Sequence, residues 1–260
     1  MLSSIVPEIM LKTLLIAGVL YASVAQSAIV RVGADAFTAQ AGRITFSEFD
    51  VGTVNPVYTP ADYGGGAGSP TVRFDGRFVG QLGGNVIDCP SGAAASGCVL
   101  GLPSGPLTLD TTSPDTFITG DDANPTSPVL SGTPIFNGAI SILFDVDLIA
   151  VGLEGGFFDA IGGTAIRAFD RQGGIIGSVS NEDLEIEFLG LSTIDGLATI
   201  AGLQFLLVGP EPAGFAIDNL VFDIAKVVVP PSEVPLPAAL PLFASALGLG
   251  AFARRRKNLV

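Results

Sequence analysis

The feature that most limits how this chain can fold is a two-residue alternation of apolar and polar side chains. The longest run is Ile-Ser-Ile-Leu-Phe-Asp-Val-Asp-Leu at residues 140–148, and the most regular is Leu-Glu-Ile-Glu-Phe at 184–188. Residues 44–48 and 72–78 repeat the pattern. Because successive side chains of a β-strand point to opposite faces, this period predicts strands with one buried and one solvated face.

Glycine and proline separate these runs. The chain has 34 glycines and 18 prolines, many of them clustered with asparagine and aspartate between the alternating segments. Short strands punctuated in this way predict an all-β protein, an antiparallel two-sheet sandwich with a jelly-roll-like topology. The 17 phenylalanines fall mostly on the apolar sides of the strands, so we interpret them as core residues. The segments near residues 56–70 and 110–132 are expected to form long, poorly ordered excursions.

The N-terminus has the residue order of a secretory signal peptide. Lys12 precedes an apolar stretch at residues 14–24, and small residues follow. The apolar stretch is too short to span a membrane comfortably. We therefore predict a signal helix that is removed by cleavage after Ser27, with cleavage after Ala25 as the alternative. Translation starts at Met1 or at Met10, which begins a cleaner leader.

The C-terminal tail combines a short proline motif, an apolar run and a basic cluster. The motif residues are Val234, Pro235, Leu236, Pro237 and Ala238, and the basic residues are Arg254, Arg255, Arg256 and Lys257. No charged side chain lies between the start of the motif and the basic cluster. Twenty residues at helical rise span roughly 30 Å, about one hydrocarbon core, so we expect a transmembrane helix. The basic cluster would stay in the cytoplasm, which places the preceding domain outside the inner membrane.

This order of motif, helix and basic tail resembles the VPLPA subclass of the PEP-CTERM sorting signals of Gram-negative bacteria. The resemblance covers residues 234–260 and implies recognition by an exosortase-type membrane protease. It further implies export by the Sec machinery and signal peptidase, transient anchoring in the inner membrane, and delivery to the outer surface or extracellular matrix. An association with exopolysaccharide is also implied. An ordinary C-terminal membrane anchor is the alternative, although it does not need the proline motif.

These signals divide the chain into four segments: a signal peptide at 1–27, a β-sandwich ectodomain at 28–225, a proline-rich linker at 226–233 and the sorting signal at 234–260. The adjacent prolines of the linker favour an extended, stiff spacer. Between the two terminal signals, 24 acidic residues face 7 basic ones, which leaves a formal charge of about −17. Such a charge disfavours nucleic acid and other polyanions as partners, and it also serves solubility.

Cys89 and Cys98 are the only cysteines. In an exported chain, a pair this close predicts a disulfide, which would stabilise the fold by about 2–3 kcal/mol. The chain contains no histidine, so Ser-His-Asp and Cys-His catalysis and histidine-ligated zinc are excluded. Carboxylate pairs remain, so a glycosidase stays open, although the absence of tryptophan leaves few aromatic platforms for sugar rings.

Two acidic residues near the ends of the predicted domain suggest a metal site. If the alternation is unbroken, Glu48 and Asp218 both face the core, where a carboxylate is costly unless it is paired or binds a metal. The stretch Gly-Phe-Ala-Ile-Asp-Asn-Leu-Val-Phe around Asp218 resembles the closing strand of jelly-roll lectin-like and carbohydrate-binding modules. There the matching acid and a glutamate on an early strand hold a structural Ca²⁺. We therefore expect Glu48 and Asp218 to meet and bind calcium through oxygen ligands. Alternatively, a β-bulge turns either acid to solvent, as Phe49 after Glu48 hints.

Two other acidic clusters are interpreted as solvated. Residues 121–124, Asp-Asp-Ala-Asn, lack the spacing of an EF-hand loop, and Asp145 and Asp147 lie two apart on one strand face. The expected function is that of a non-enzymatic exported protein that binds exopolysaccharide, by analogy of fold. The alternatives are a carboxylate-based hydrolase of matrix polysaccharide, with two carboxyl groups about 5–10 Å apart across a cleft, and a purely structural surface protein.

Overall fold

The computed structural model describes residues 29–212 and 215–224. The predicted signal peptide, linker, sorting motif and transmembrane helix lie outside the described residues. Within those two ranges, the helices are single 3-10 turns at Ala34–Ala36 and Ala95–Gly97. Neither has the length or the apolar character that crossing a membrane would require.

The described residues form fifteen β-strands. In chain order they are β1 (Ile29–Arg31), β2 (Gly42–Ile44), β3 (Val57–Tyr58), β4 (Val72–Asp75), β5 (Leu82–Gly83), β6 (Val99–Leu100), β7 (Thr116–Thr119), β8 (Val129–Gly132), β9 (Ile140–Leu148), β10 (Ala150–Phe158), β11 (Thr164–Phe169), β12 (Ile175–Ser180), β13 (Glu185–Thr193), β14 (Ile200–Leu207) and β15 (Ala216–Asp223). The longest and the most regular predicted runs correspond to β9 and the start of β13, so strands are confirmed at both places.

The strands form two large antiparallel sheets and one small one. Sheet A has seven strands in the order β1-β13-β10-β15-β8-β7, with β2 also paired to β15. Sheet B has six strands in the order β12-β11-β14-β9-β4-β3, and β5 pairs only with β6. All pairings in the described part of the chain are antiparallel, which confirms the predicted all-β antiparallel class.

One apolar cluster joins the inner faces of the two sheets into a sandwich-like core. Sheet A contributes residues such as Leu153, Leu191 and Phe222, and sheet B contributes residues such as Phe144 and Phe205. Nine phenylalanines are completely or almost completely buried: Phe46, Phe74, Phe78, Phe144, Phe158, Phe169, Phe205, Phe215 and Phe222. The interpretation of the phenylalanines as packing residues is therefore confirmed for these positions.

Each sheet also has a partly covered outer face. On sheet A, a smaller cluster around Phe37, Ile149 and Val221 covers part of that face. On sheet B, the segment 76–115 folds back and packs Phe78 and Leu107 over the strands. Polar or charged side chains that point outward can therefore still be buried, beneath loops rather than between the sheets.

The two segments predicted as irregular contain regular structure. Within 110–132, β7 and β8 pair from Thr116 opposite Gly132 to Thr119 opposite Val129, and this hairpin extends sheet A. Within 56–70, β3 forms the edge of sheet B. The expectation of long irregular excursions was therefore wrong for these strands, because runs of two to four residues flanked by proline and aspartate are too short to show a period.

The predicted disulfide is confirmed. Cys89 and Cys98 are bonded, with their Cα atoms 6.0 Å apart, and no free cysteine lies in the described residues. The bond closes a loop that contains the second 3-10 turn. Gly84 packs directly against it, since an added Cβ there would lie 2.1 Å from the Cys89 sulfur.

Candidate functional site

A β-bulge on β15 sets the direction of Asp218. Gly152 of β10 pairs with Val221, but Glu154, two residues further along, pairs with Asp218, three residues back. The extra residue on β15 is accommodated at Asn219, whose φ is +46°. Asparagine tolerates this left-handed conformation better than most residues, so the sequence itself favours a bulge at this point.

Because of the bulge, the side chains of β15 before and after Asn219 do not follow one continuous alternation of faces. Ile217 and Leu220 both pack in the core between the sheets. Asp218 pairs with Glu154, which neighbours the core residue Leu153 on β10 and therefore points outward. The prediction that Asp218 faces the core was wrong, because the alternation is broken by one residue. The alternative of a bulge was correct, although Asp218 is turned to the outer face of sheet A rather than to solvent.

Asp218 is nevertheless fully buried, with 0% of its surface exposed. The loop between β7 and β8 covers it and places the Thr126 hydroxyl in hydrogen-bond contact with Asp218 Oδ2. The backbone N–H of Asn219 donates to Oδ1 at 2.7 Å. The Asn219 side-chain amide donates to Glu154 Oε2 at 2.7 Å and so separates the two facing carboxylates.

The Thr126 hydroxyl faces more acceptors than it can satisfy. Its oxygen lies 2.9 Å from Asn124 Oδ1 and also contacts Asp218 Oδ2. Asn124 Oδ1 is identified as the acceptor because the backbone N–H of Thr126 donates to it as well. A hydroxyl carries a single hydrogen, so the Thr126 hydroxyl donates to only one of these two oxygens at a time.

The electrostatics around Asp218 favour its protonated form. Burial, together with the negative charges of Glu154 and Glu48, raises the pKa of Asp218 to about 6. The hydrogen bonds from Thr126 and the Asn219 backbone act in the opposite direction and limit the rise of this pKa. The site therefore holds a carboxyl group that changes charge near neutral pH.

Glu48 lies in the turn that follows β2. Its Oε1 accepts hydrogen bonds from the backbone N–H and the hydroxyl of Thr45, both at 2.9 Å. Its Oε2 is buried and has no hydrogen-bond partner among the described residues, and the same is true of the Tyr58 hydroxyl. Burial raises the pKa of Tyr58, and the charge of Glu48 raises it further.

The structure thus places Glu48 close enough to Asp218 for its charge to raise the pKa of Asp218. The two side chains form no direct hydrogen bond in the described part of the chain. Across residues 29–212 and 215–224, no three cysteine, aspartate or glutamate side chains come together in a way that could hold a metal ion. Any cation here would rely on two carboxylates and on neutral oxygens such as Thr126 Oγ1.

The two other acidic clusters behave as turn and surface residues. Asp121 Oδ1 accepts a hydrogen bond from the Ala123 N–H at 2.9 Å, a local turn contact. Asp145 is exposed and accepts from the Thr71 N–H at 2.7 Å, while Asp147 pairs with Arg171. Residues 121–124 were predicted to form a solvated turn. The sequence did not indicate that the same loop places Thr126 against Asp218.

Three members of this site were missed by sequence reasoning: Glu154, Thr126 and Asn219. Asn219 carried a usable signal, because asparagine directly after a strand aspartate favours the left-handed conformation of a bulge. Glu154 and Thr126 carried none, since only the strand register and the fold of the covering loop bring them to Asp218.

Compared with models of known protein families, the chain matches none, and a comparison with curated proteins found no match.

Proposed function

We propose that this chain is an exported, non-enzymatic protein of the outer surface or extracellular matrix of a Gram-negative bacterium, and that its β-sandwich domain binds exopolysaccharide. The observation that carries the proposal is the order of the C-terminal tail. A proline motif at 234–238, an apolar run and a basic cluster at 254–257 follow one another at the end of the chain. An exosortase-type protease is the proposed processing enzyme, after export by the Sec machinery and cleavage by signal peptidase.

The disulfide supports export. Structural disulfides form and persist in oxidising compartments, and the bond between Cys89 and Cys98 pairs the only two cysteines of the chain. The strong excess of acidic residues agrees with a secreted protein that avoids nucleic acid.

The strand connections support the jelly-roll-like class. From β8 to β11, consecutive strands alternate between sheets A and B, and after the β11–β12 hairpin the alternation resumes through β15. Repeated crossing between two packed antiparallel sheets is typical of jelly rolls and distinguishes them from meanders. Carbohydrate binding follows from this class only by analogy, so it needs its own test.

The sorting proposal is tested with the full-length chain in a Gram-negative host that has an exosortase. Replacing both motif prolines, Pro235→Ala with Pro237→Ala, should leave the protein in the inner membrane with its tail intact. The wild type should lose both termini and appear outside the cell. Cell fractionation and mass spectrometry of the mature ends measure both results.

The matched control replaces the two linker prolines, Pro230→Ala with Pro231→Ala, and should be processed like the wild type. Retention of the wild type in the inner membrane of an exosortase-positive host, with residues 254–257 still attached, would show that the tail is an ordinary anchor. Equal processing of both double variants would also count against motif recognition.

We further propose that the Asp218 site binds structural Ca²⁺. The supporting observation is that Asp218 is buried against the charges of Glu154 and Glu48, while Glu48 Oε2 has no hydrogen-bond partner in the described residues. Calcium prefers oxygen ligands and accepts carboxylate and neutral oxygens in irregular geometry. A cation at this point would stabilise the ionised form of Asp218.

Calcium that binds only the folded protein must raise its unfolding temperature. The full-length protein at neutral pH should therefore show a higher Tm with Ca²⁺ than with EDTA, and Asp218→Asn should abolish the difference. Asp122→Asn removes an exposed carboxylate from the same covering loop and should leave the shift unchanged. An unchanged wild-type Tm, or an equal shift in the Asp218 variant, would exclude this site.

A further inference from the structure

A groove opens on the outer face of sheet B, away from the Asp218 site. Its volume is about 340 Å³, within the range of small-ligand pockets. The residues that line it are Asn55, Val57, Arg73, Phe74, Asp75, Thr108, Leu109, Thr111 and Leu143. It lies where strands β3, β4 and β9 meet the returning segment around residues 108–111.

The strand register places the groove's side chains in rows. Val57, Arg73 and Leu143 lie side by side across the three strands, because Arg73 pairs with Val57 on one side and with Leu143 on the other. Asp75 follows Arg73 by two residues on β4, so both point to the same face, about 7 Å apart along the strand. Aliphatic surface from Val57, Leu109 and Leu143 borders this charged pair.

Arg73 and Asp75 offer complementary polar groups. Arg73 is exposed and forms no ion pair within the described residues. Asp75 is only 4% exposed, and its Oδ1 accepts from the Gly76 N–H at 2.8 Å and from the Ser113 hydroxyl at 2.7 Å. These two bonds hold the carboxylate in place, while its Oδ2 accepts no hydrogen bond from the described part of the chain.

We propose that this groove binds a neutral saccharide, with Arg73 and Asp75 as its polar contacts. A sugar hydroxyl both donates and accepts hydrogen bonds, whereas guanidinium only donates and carboxylate only accepts, so neighbouring hydroxyls match the pair. The aliphatic border suits the C–H face of a sugar ring. An acidic saccharide fits less well, because the domain carries a formal charge of about −17 that repels polyanions. The inference rests on the proposed exopolysaccharide binding and names its site and ligand class.

The test is isothermal titration calorimetry of the full-length protein in detergent with neutral oligosaccharides, for example oligomers of glucose and of galactose. Oligogalacturonate provides the acidic comparison. Arg73→Gln and Asp75→Asn should each weaken binding of a neutral oligomer roughly tenfold or more, since each removes a charged hydrogen-bonding group. The matched control is Arg43→Gln, an exposed arginine of sheet A that forms no ion pair among the described residues.

The outcomes separate the groove from the wider function. Weakened binding in both groove variants and unchanged binding in the control support the inference. Binding that survives both substitutions overturns the groove as the site but leaves saccharide binding intact. Preference for oligogalacturonate overturns the neutral class. Binding to none of these sugars overturns the inference together with saccharide binding, and release of shortened sugars would identify the groove as hydrolytic instead.

Discussion

Asp218 and Asp75 occupy comparable positions on the two sheets and have opposite surroundings. Both lie on outer faces, both are buried, and burial raises the pKa of each. Asp218 is sealed beneath Thr126 in the β7–β8 loop, next to two other carboxylates. Asp75 lies at the margin of an open groove, two residues from an exposed arginine.

This difference shows that burial alone does not define a binding site. In the sealed site, the Asp218 carboxylate can bind only a proton, or a cation small enough to fit under the loop. In the groove, backbone and serine donors hold Asp75 in position while larger molecules can reach its neighbourhood. We therefore expect the Asp218 site to affect the free energy of unfolding and the groove to affect saccharide binding.

The largest expected effect comes from Asp218→Asn, which imitates the protonated side chain. The pKa of Asp218 is raised from 3.8 to about 6 by folding, so between these values the native state keeps a proton that the unfolded state releases. The stabilisation from this bound proton is complete below the pKa of Asp218 in the unfolded state. It is lost as the pH rises through the pKa of Asp218 in the folded state. Without added metal, the variant should gain about 3 kcal/mol over the wild type between roughly pH 4 and pH 7.5.

Urea unfolding of both proteins across this pH range measures the gain as a difference, which cancels the shared titration of the other carboxylates. A difference that does not change with pH would show that Asp218 titrates normally. Adding Ca²⁺ sharpens the test, because a bound cation would restore wild-type stability at the upper pH and leave the variant unaffected.

The second effect tests the bulge itself. Asn219→Ala should destabilise the protein by about 2 kcal/mol, because alanine is strained at a φ of +46° and cannot bond Glu154. Asn219→Gly relieves the backbone strain and loses only the side-chain bonds, so it should cost about half as much. Denaturant unfolding of the two variants separates the contributions. Equal losses would show that the left-handed backbone contributes nothing.

The bulge is also the point at which the alternation pattern gave the wrong side-chain direction. The alternating runs predicted the strand class correctly, and the spacing of the two cysteines predicted the disulfide, because both are local properties of the sequence. One inserted residue at Asn219 reversed the face of Asp218, and the alternation pattern alone could not reveal it.

The prediction that Glu48 and Asp218 meet depended on the terminal strands being neighbours. Here β2 pairs with β15, and Ile44 lies opposite Leu220. Thr126 and the groove depend instead on how long loops fold back over the sheets. Those contacts join residues distant in sequence, and no local pattern encodes them.

A smaller effect is expected from Thr126→Val, which keeps the shape of the side chain and removes its hydroxyl. The loss of the contact with Asp218 should cost about 1 kcal/mol. Because this hydrogen bond lowers the pKa of Asp218, its removal should also move the stability transition to higher pH. The same urea series measures both quantities. A transition that moves to lower pH would contradict the proposed role of the hydroxyl.

The smallest stability effect should come from Asp75→Asn, although this substitution is expected to impair saccharide binding. Burial raises the pKa of Asp75, and the charges of Asp115 and Asp110 raise it further, so the sign of the pH dependence is the same as for Asp218. Two donors on Oδ1 oppose that rise by favouring the ionised form, and the open groove keeps water close to the carboxylate. The difference between Asp75→Asn and wild type should therefore change less with pH than the difference for Asp218→Asn. If this pH dependence were larger for Asp75→Asn, the groove carboxylate would be the more strongly desolvated of the two. Asp75 would then be the aspartate that affects stability, and its assignment to saccharide binding would be wrong.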